Sequence, residues 1–63
     1  MKACNLSAID AKIAAVKRSH KPLKRFRPLF DHVLRLAADS ARHGYCQRAG
    51  REIAHAKKVA GYR

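Results

Sequence analysis

The sequence predicts an all-α fold, a small three-helix arrangement whose last two helices form an antiparallel αα-hairpin. Three observations carry this reading. Apolar residues recur at steps of three and four along three separate segments. No stretch alternates apolar and polar residues as a half-buried strand would. Pro22, Pro28, Gly44 and Gly61 fall between those segments or at their ends, where helix punctuation belongs. With 63 residues the chain forms a single small helical domain, residues 1–63.

Residues 1–4 read as a short lead-in. Helix 1 is expected over about residues 6–19. Leu6, Ile9, Ile13 and Val16 lie on one face, and Ala8, Ala11, Ala14 and Ala15 fill its flanks with the strongest helix former. Ser7 with Asp10 three residues on resembles a capping box, and Asn5 is a rival N-cap.

A basic joint over residues 17–27 follows. Six of its eleven residues are Lys or Arg and none is acidic. Pro22 suits the first position of a new helical turn. Pro28 disfavours helical geometry at Arg27, so a short turn over residues 22–26 is expected to break before helix 2.

Helix 2 is expected from about residue 28 to 43, with a wide apolar face of Leu29, Phe30, Val33, Leu34, Leu36, Ala37 and Ala41. Gly44 sits where a left-handed C-cap is wanted. Helix 3 is expected over about residues 45–60, lined by Ala49, Ile53, Ala56 and Ala60 and stopped by Gly61. So short a connection makes helices 2 and 3 an antiparallel hairpin. The spacing of Gly44, Tyr45, Ala49, Ile53 and Ala56 resembles one hairpin of a tetratricopeptide-type repeat. No second copy of the pattern is present, so the resemblance implies hairpin geometry and no function.

Composition limits the core. Hydrophobic residues make up 48% of the chain, but twelve of them are Ala. Ile53 and Val59 are the only large aliphatic residues after Gly44. The last third must therefore pack closely through Ala or borrow a surface, and a homodimer or a complex with a larger protein is expected.

Charge is the strongest functional signal. Fifteen Lys and Arg stand against four Asp and Glu, a net charge of +11. Solubility would be served by both signs, so this imbalance points to an anionic partner, nucleic acid or an acidic protein surface. The candidate contacts are Lys17, Arg18, Lys21, Lys24, Arg25 and Arg27 in the joint, with Arg48, Arg51 and Lys58 as a second stripe opposite the Ala face of helix 3. A helix-turn-helix fits poorly, because aligning its turn on Gly44 puts Gln47 and Gly50 at apolar positions.

The rival expectation is a small protein–protein interaction factor or inhibitor. It would dock on the acidic or nucleic-acid-binding face of a larger protein, through Phe26, Ala49, Ile53 and Ala56. Chains of this size and charge fit the accessory proteins of phages and plasmids by analogy alone. Phe26 has a plainer role available as the apolar plug between helices 1 and 2.

Other chemistry finds little support. No paired Cys-x-x-Cys accompanies His43-x-x-Cys46, so neither a metal nor another cofactor is expected. The four acids are scattered and no nucleophile or Gly-rich loop joins His32 and Asp31, so no enzyme is expected. Glu52 and Arg48 are spaced for a structural ion pair. No apolar run reaches membrane-spanning length and no secretory segment follows the N-terminus. The default is a cytoplasmic protein with Cys4 and Cys46 as free thiols, although a single bridge between them is compatible with the sequence.

Overall fold

The structure, a computed structural model, describes residues 4–62; the expected lead-in lies outside them except for Cys4. Three α-helices, α1 (Leu6–Ser19), α2 (Arg27–Arg42) and α3 (Cys46–Gly61), account for most of it, and a 3-10 turn at Lys24–Phe26 precedes α2. The described residues contain no strand. The all-α fold with a C-terminal hairpin is as the sequence predicts.

Local chemistry explains the boundaries. Asn5 is the N-cap of α1, its Oδ1 accepting a bond from the Ala8 N–H at 3.1 Å. The expected Ser7–Asp10 capping box is therefore corrected, since Ser7 already lies inside the helix. The last turn of α1 closes with the His20 N–H donating to Val16 O at 2.8 Å.

Pro28 does not keep Arg27 out of the helix. Arg27 has φ −59° and ψ −44°, and its N–H donates to Lys24 O, so the 3-10 turn feeds directly into α2. Pro28 then occupies the first turn of α2, where its missing N–H would find no intrahelical acceptor anyway.

Gly44 behaves as its position demands. Its φ is +86°, the only left-handed backbone among the described residues. The Tyr45 N–H donates to Ser40 O at 2.8 Å and the Gly44 N–H to Ala41 O at 3.1 Å. That pair of bonds is a Schellman closure, and it turns the chain tightly into α3. Gly61, by contrast, does not stop α3. It is the last helical residue, and Tyr62 caps the helix with extended geometry.

The core is the seam between α2 and α3, with α1 laid over it. Phe30, Val33, Leu34, Ala37 and Ala41 from α2 are buried, as are Ala49, Ile53, Ala56, Val59 and Ala60 from α3. Ala37, Ala49 and Ala56 have no exposed surface at all. Close packing through Ala is thus the solution this chain uses for its thin C-terminal third. The buried stripe of α2 is narrower than expected, because Leu29 and Leu36 remain 43% and 41% exposed. Both lie roughly 95–115° around the helix from the centre of the stripe.

Helix α1 is held more lightly. Val16 is its only buried residue; Ile9 and Ile13 are half-buried against the core and Leu6 is 45% exposed. Its other attachment is covalent. Cys4, just before the N-cap, is disulfide-bonded to Cys46, the first residue of α3, with Cα atoms 5.5 Å apart. This overturns the default of free thiols in favour of the single bridge that the sequence allows. The bond closes a sequence separation of 42 residues. In the chain-entropy picture a loop of that length constrains the unfolded state by about 4 kcal/mol. No helix among the described residues is long and apolar enough to cross a membrane.

The seam predicts a steep penalty for added volume. Ala56→Leu should lower stability by about 1–3 kcal/mol, seen as a fall in Tm of roughly 5–20 °C. Ala14→Leu, on the exposed face of α1, should stay within about 0.5 kcal/mol. Thermal unfolding followed by circular dichroism separates the two.

Candidate functional site

The up-down-up course of the helices decides which charges meet. The disulfide ties the start of α1 to the start of α3. Residues 12, 15, 16 and 19 of α1 share a groove with residues 50, 53, 54 and 57 of α3, so the two helices run alongside each other in the same direction. The end of α1, the 3-10 turn, the start of α2 and the end of α3 therefore gather at one end of the bundle.

An aromatic contact fixes that gathering. The rings of Phe26 and Tyr62 meet edge to face with centroids 5.6 Å apart, and the Arg25 guanidinium lies 4.9 Å from the Phe26 centroid. Phe26 is half-buried and also packs on the core. It is thus the plug that the apolar rhythm suggests, and at the same time the link between the joint and the end of α3. The linker between α1 and the turn is held by Ser19, whose Oγ donates to Ala15 O at 2.7 Å and lies 2.9 Å from His20 Nδ1.

Around this contact the basic joint is displayed. Lys17 and Arg18 occupy the last turn of α1, Lys21 the linker, Lys24 and Arg25 the 3-10 turn, and Arg27 the start of α2. All six are exposed. No acidic residue occurs between Asp10 and Asp31, or after Glu52. Among the described residues the one ion pair is Arg48–Glu52, at 3.4 Å, so none of the joint's cations has an acidic side chain within bonding range. Beside the joint, an open cleft of about 690 Å³ separates α1 from α2. Lys17, Lys21, Arg27 and Arg35 stand on its walls with Asp10 and Asp31, above Ile13, Phe30 and Leu34.

The second basic stripe is split by the fold. Lys58 lies in the last turn of α3, at the joint end. Arg48 and Arg51 lie in its first half, roughly 10–15 Å away along the helix. Arg48 is also engaged by Glu52, which accepts a second bond from Ser40 Oγ at 2.9 Å across the α2–α3 seam. Glu52 is thus a half-buried cross-link between helices, with its Oε2 buried and unpartnered. Lys57, which the three-four reading of helix 3 passes over, is exposed and faces the groove it shares with Lys12, Ser19 and His20.

Of the residues suggested for a protein interface, Ala49, Ile53 and Ala56 are buried inside the bundle, with Ile53 at the floor of the groove between α1 and α3. Phe26 keeps partial exposure, beside Tyr62 at 48%. Cys46 is bonded to Cys4, which removes it from any ligand set with His43. The pairing of two cysteines 42 residues apart has no local sequence signal, and neither does the Phe26–Tyr62 contact.

No protein-family model matches this sequence, and no curated protein or solved structure matches it.

The aromatic link is testable by a double-mutant cycle. Phe26→Leu keeps an apolar plug but removes the edge-to-face contact, and Tyr62→Leu removes its other half. Denaturant unfolding of both single variants and the double variant should give a coupling of about 0.5–1.5 kcal/mol. Additive effects would mean that the rings touch without contributing.

Proposed function

We propose that the chain is a small, non-enzymatic, nucleic-acid-associated binding or regulatory protein whose contact surface is the basic end of the bundle. The observation that supports this most is the concentration of Lys17, Arg18, Lys21, Lys24, Arg25, Arg27 and Lys58 at that end, with no acidic side chain bonded to any of them. Holding so many like charges together is unfavourable for an isolated protein, and an anion that releases its own counterions on binding offsets that cost. Cations carried on a helix end, a turn and a helix start project from several directions, which suits a phosphate backbone better than a single point charge. Arg25, Phe26 and Tyr62 add a stacked guanidinium–aromatic surface, of the composition that unpaired bases stack upon.

A second reading is favoured by the same cluster. Exposed aromatic surface beside Arg is also the composition of a protein hot spot, so the end could dock on the acidic or nucleic-acid-binding face of a larger protein. In that reading apolar contact contributes more than charge. Arg48 and Arg51 belong to neither surface and act at most as a distant supplement.

Titration of labelled duplex DNA, single-stranded DNA and RNA across salt concentrations tests the first reading. Replacing Lys21, Lys24, Arg25 and Arg27 together by Ala should leave helical circular dichroism in place. It should weaken binding and flatten the salt slope by about three to four, at roughly 0.9 per lost phosphate contact on duplex. Binding that survives the change would sink the nucleic-acid reading. A loss on Phe26→Ala that exceeds the loss on charge removal, at constant fold, would favour the protein-docking one.

A further inference from the structure

The geometry points to the Cys4–Cys46 bond as a redox latch on α1, so that the oxidation state of the pair regulates the basic end. The regulatory half of this inference rests on the anion-binding reading above; the latch itself does not.

Three observations carry it. First, α1 has little else to hold it. One of its fourteen residues is buried, Val16; Ile13 and Ile9 are half-buried and Leu6, at its start, is 45% exposed. Second, the disulfide sits where that apolar grip is weakest, one residue before the N-cap. An isolated helix of about this length is marginal in water, so the N-terminal half of α1 depends on being tied down. The hairpin of α2 and α3 has its own buried seam and the Ser40–Glu52 cross-link, and needs no such tie. Third, the bond lies at the surface, with Cys46 exposed at the first position of α3 and Cys4 partly exposed. A buried staple would be shielded from thiols; this one is within their reach.

The chemistry is ordinary thiol–disulfide exchange. A thiolate of an external dithiol attacks Cys4 Sγ and forms a mixed disulfide, while the Cys4–Cys46 bond breaks and Cys46 leaves as a thiolate. It leaves at the N-terminus of α3, whose free N–H groups favour negative charge, and then takes a proton from solvent. The second thiol of the reductant closes its own disulfide and releases Cys4 as a thiol. Two electrons and two protons pass to the protein, and the dithiol becomes a disulfide. In a reducing compartment such a bond forms only transiently, which is the setting in which a latch has a use.

The consequence reaches the far end of the helix. Lys17 and Arg18 belong to the last turn of α1, whereas Lys24, Arg25 and Arg27 belong to the turn and α2. With the latch closed, α1 holds its two cations beside the others. With it open, α1 frays from its start and pivots about Val16, and those two cations lose their fixed place.

The test compares the full chain oxidised, reduced with dithiothreitol, and as the Cys4→Ser/Cys46→Ser double variant. Amide hydrogen exchange is the first readout, and anisotropy of a labelled duplex DNA across salt is the second. The amides of residues 9–13 should exchange at least about tenfold faster in both unlatched forms, through a local opening of α1, while those of Val33, Leu34, Ile53 and Val59 remain the slowest and exchange only through global unfolding. Duplex affinity should fall roughly five- to tenfold, with a salt slope shallower by about two. Unchanged protection in α1 would overturn the latch. So would equal loosening of all three helices, which would make the bond a staple of the whole fold. An opened α1 with unchanged duplex affinity would overturn the regulation. An opened α1 in a chain that binds no duplex in either state would support the latch and sink the nucleic-acid reading instead.

Discussion

The structure depends on how closely α2 and α3 approach each other. A chain of 63 residues has little interior to work with, and this one fills much of it with Ala. Ala contributes little area per residue, so the seam must gain from contact density instead. Ala37, Ala49 and Ala56, all fully covered, let two backbones come together so that Leu34 and Val59 can be enclosed from every side. The tight closure at Gly44 sets the register of that approach, and the Ser40–Glu52 bond fixes it across the seam. Everything else in the molecule, including α1 and the basic end, is attached to this hairpin rather than part of it.

That division separates what was legible in the sequence from what was not. The hairpin is written in local terms. A three-four rhythm marks each helix, Gly44 marks the turn, and the bounds of α1 follow directly from Leu6, Ile9, Ile13 and Val16. The boundary errors at Arg27 and Ser7 arise where a local rule met a competing local bond. Arg27 is helical in spite of Pro28 because Lys24 O receives its N–H. Asn5 outcompetes Ser7 because only a residue outside the helix can cap it. Leu29 and Leu36 are apolar without being core, since periodicity gives a face and leaves its width open.

The site was legible only in part, for a different reason. The joint is contiguous in sequence, so its charge could be seen without a fold. The stripe on α3 could not be apportioned. Spacing alone pairs Arg48 with Glu52, but only the direction of α3 relative to α1 puts Lys58 beside the joint. The two long-range ties, Cys4 to Cys46 and Phe26 to Tyr62, leave no trace in spacing because nothing local requires them. They are also the ties that assemble the basic end: one holds α1 in place, the other brings in the end of α3.

The number of helices has an electrical consequence. Antiparallel neighbours cancel one another's axial dipoles, but three helices cannot cancel completely. With α1 and α3 running the same way, two carbonyl-rich ends and one amide-rich end point toward the joint. The remainder is a partial negative charge placed directly beneath the Lys and Arg cluster. It offsets some of the repulsion among those side chains before any partner arrives. If α1 unravels, one of the two negative poles disperses with it, and the remaining cations repel one another more strongly across the end of a bundle that has become electrically balanced.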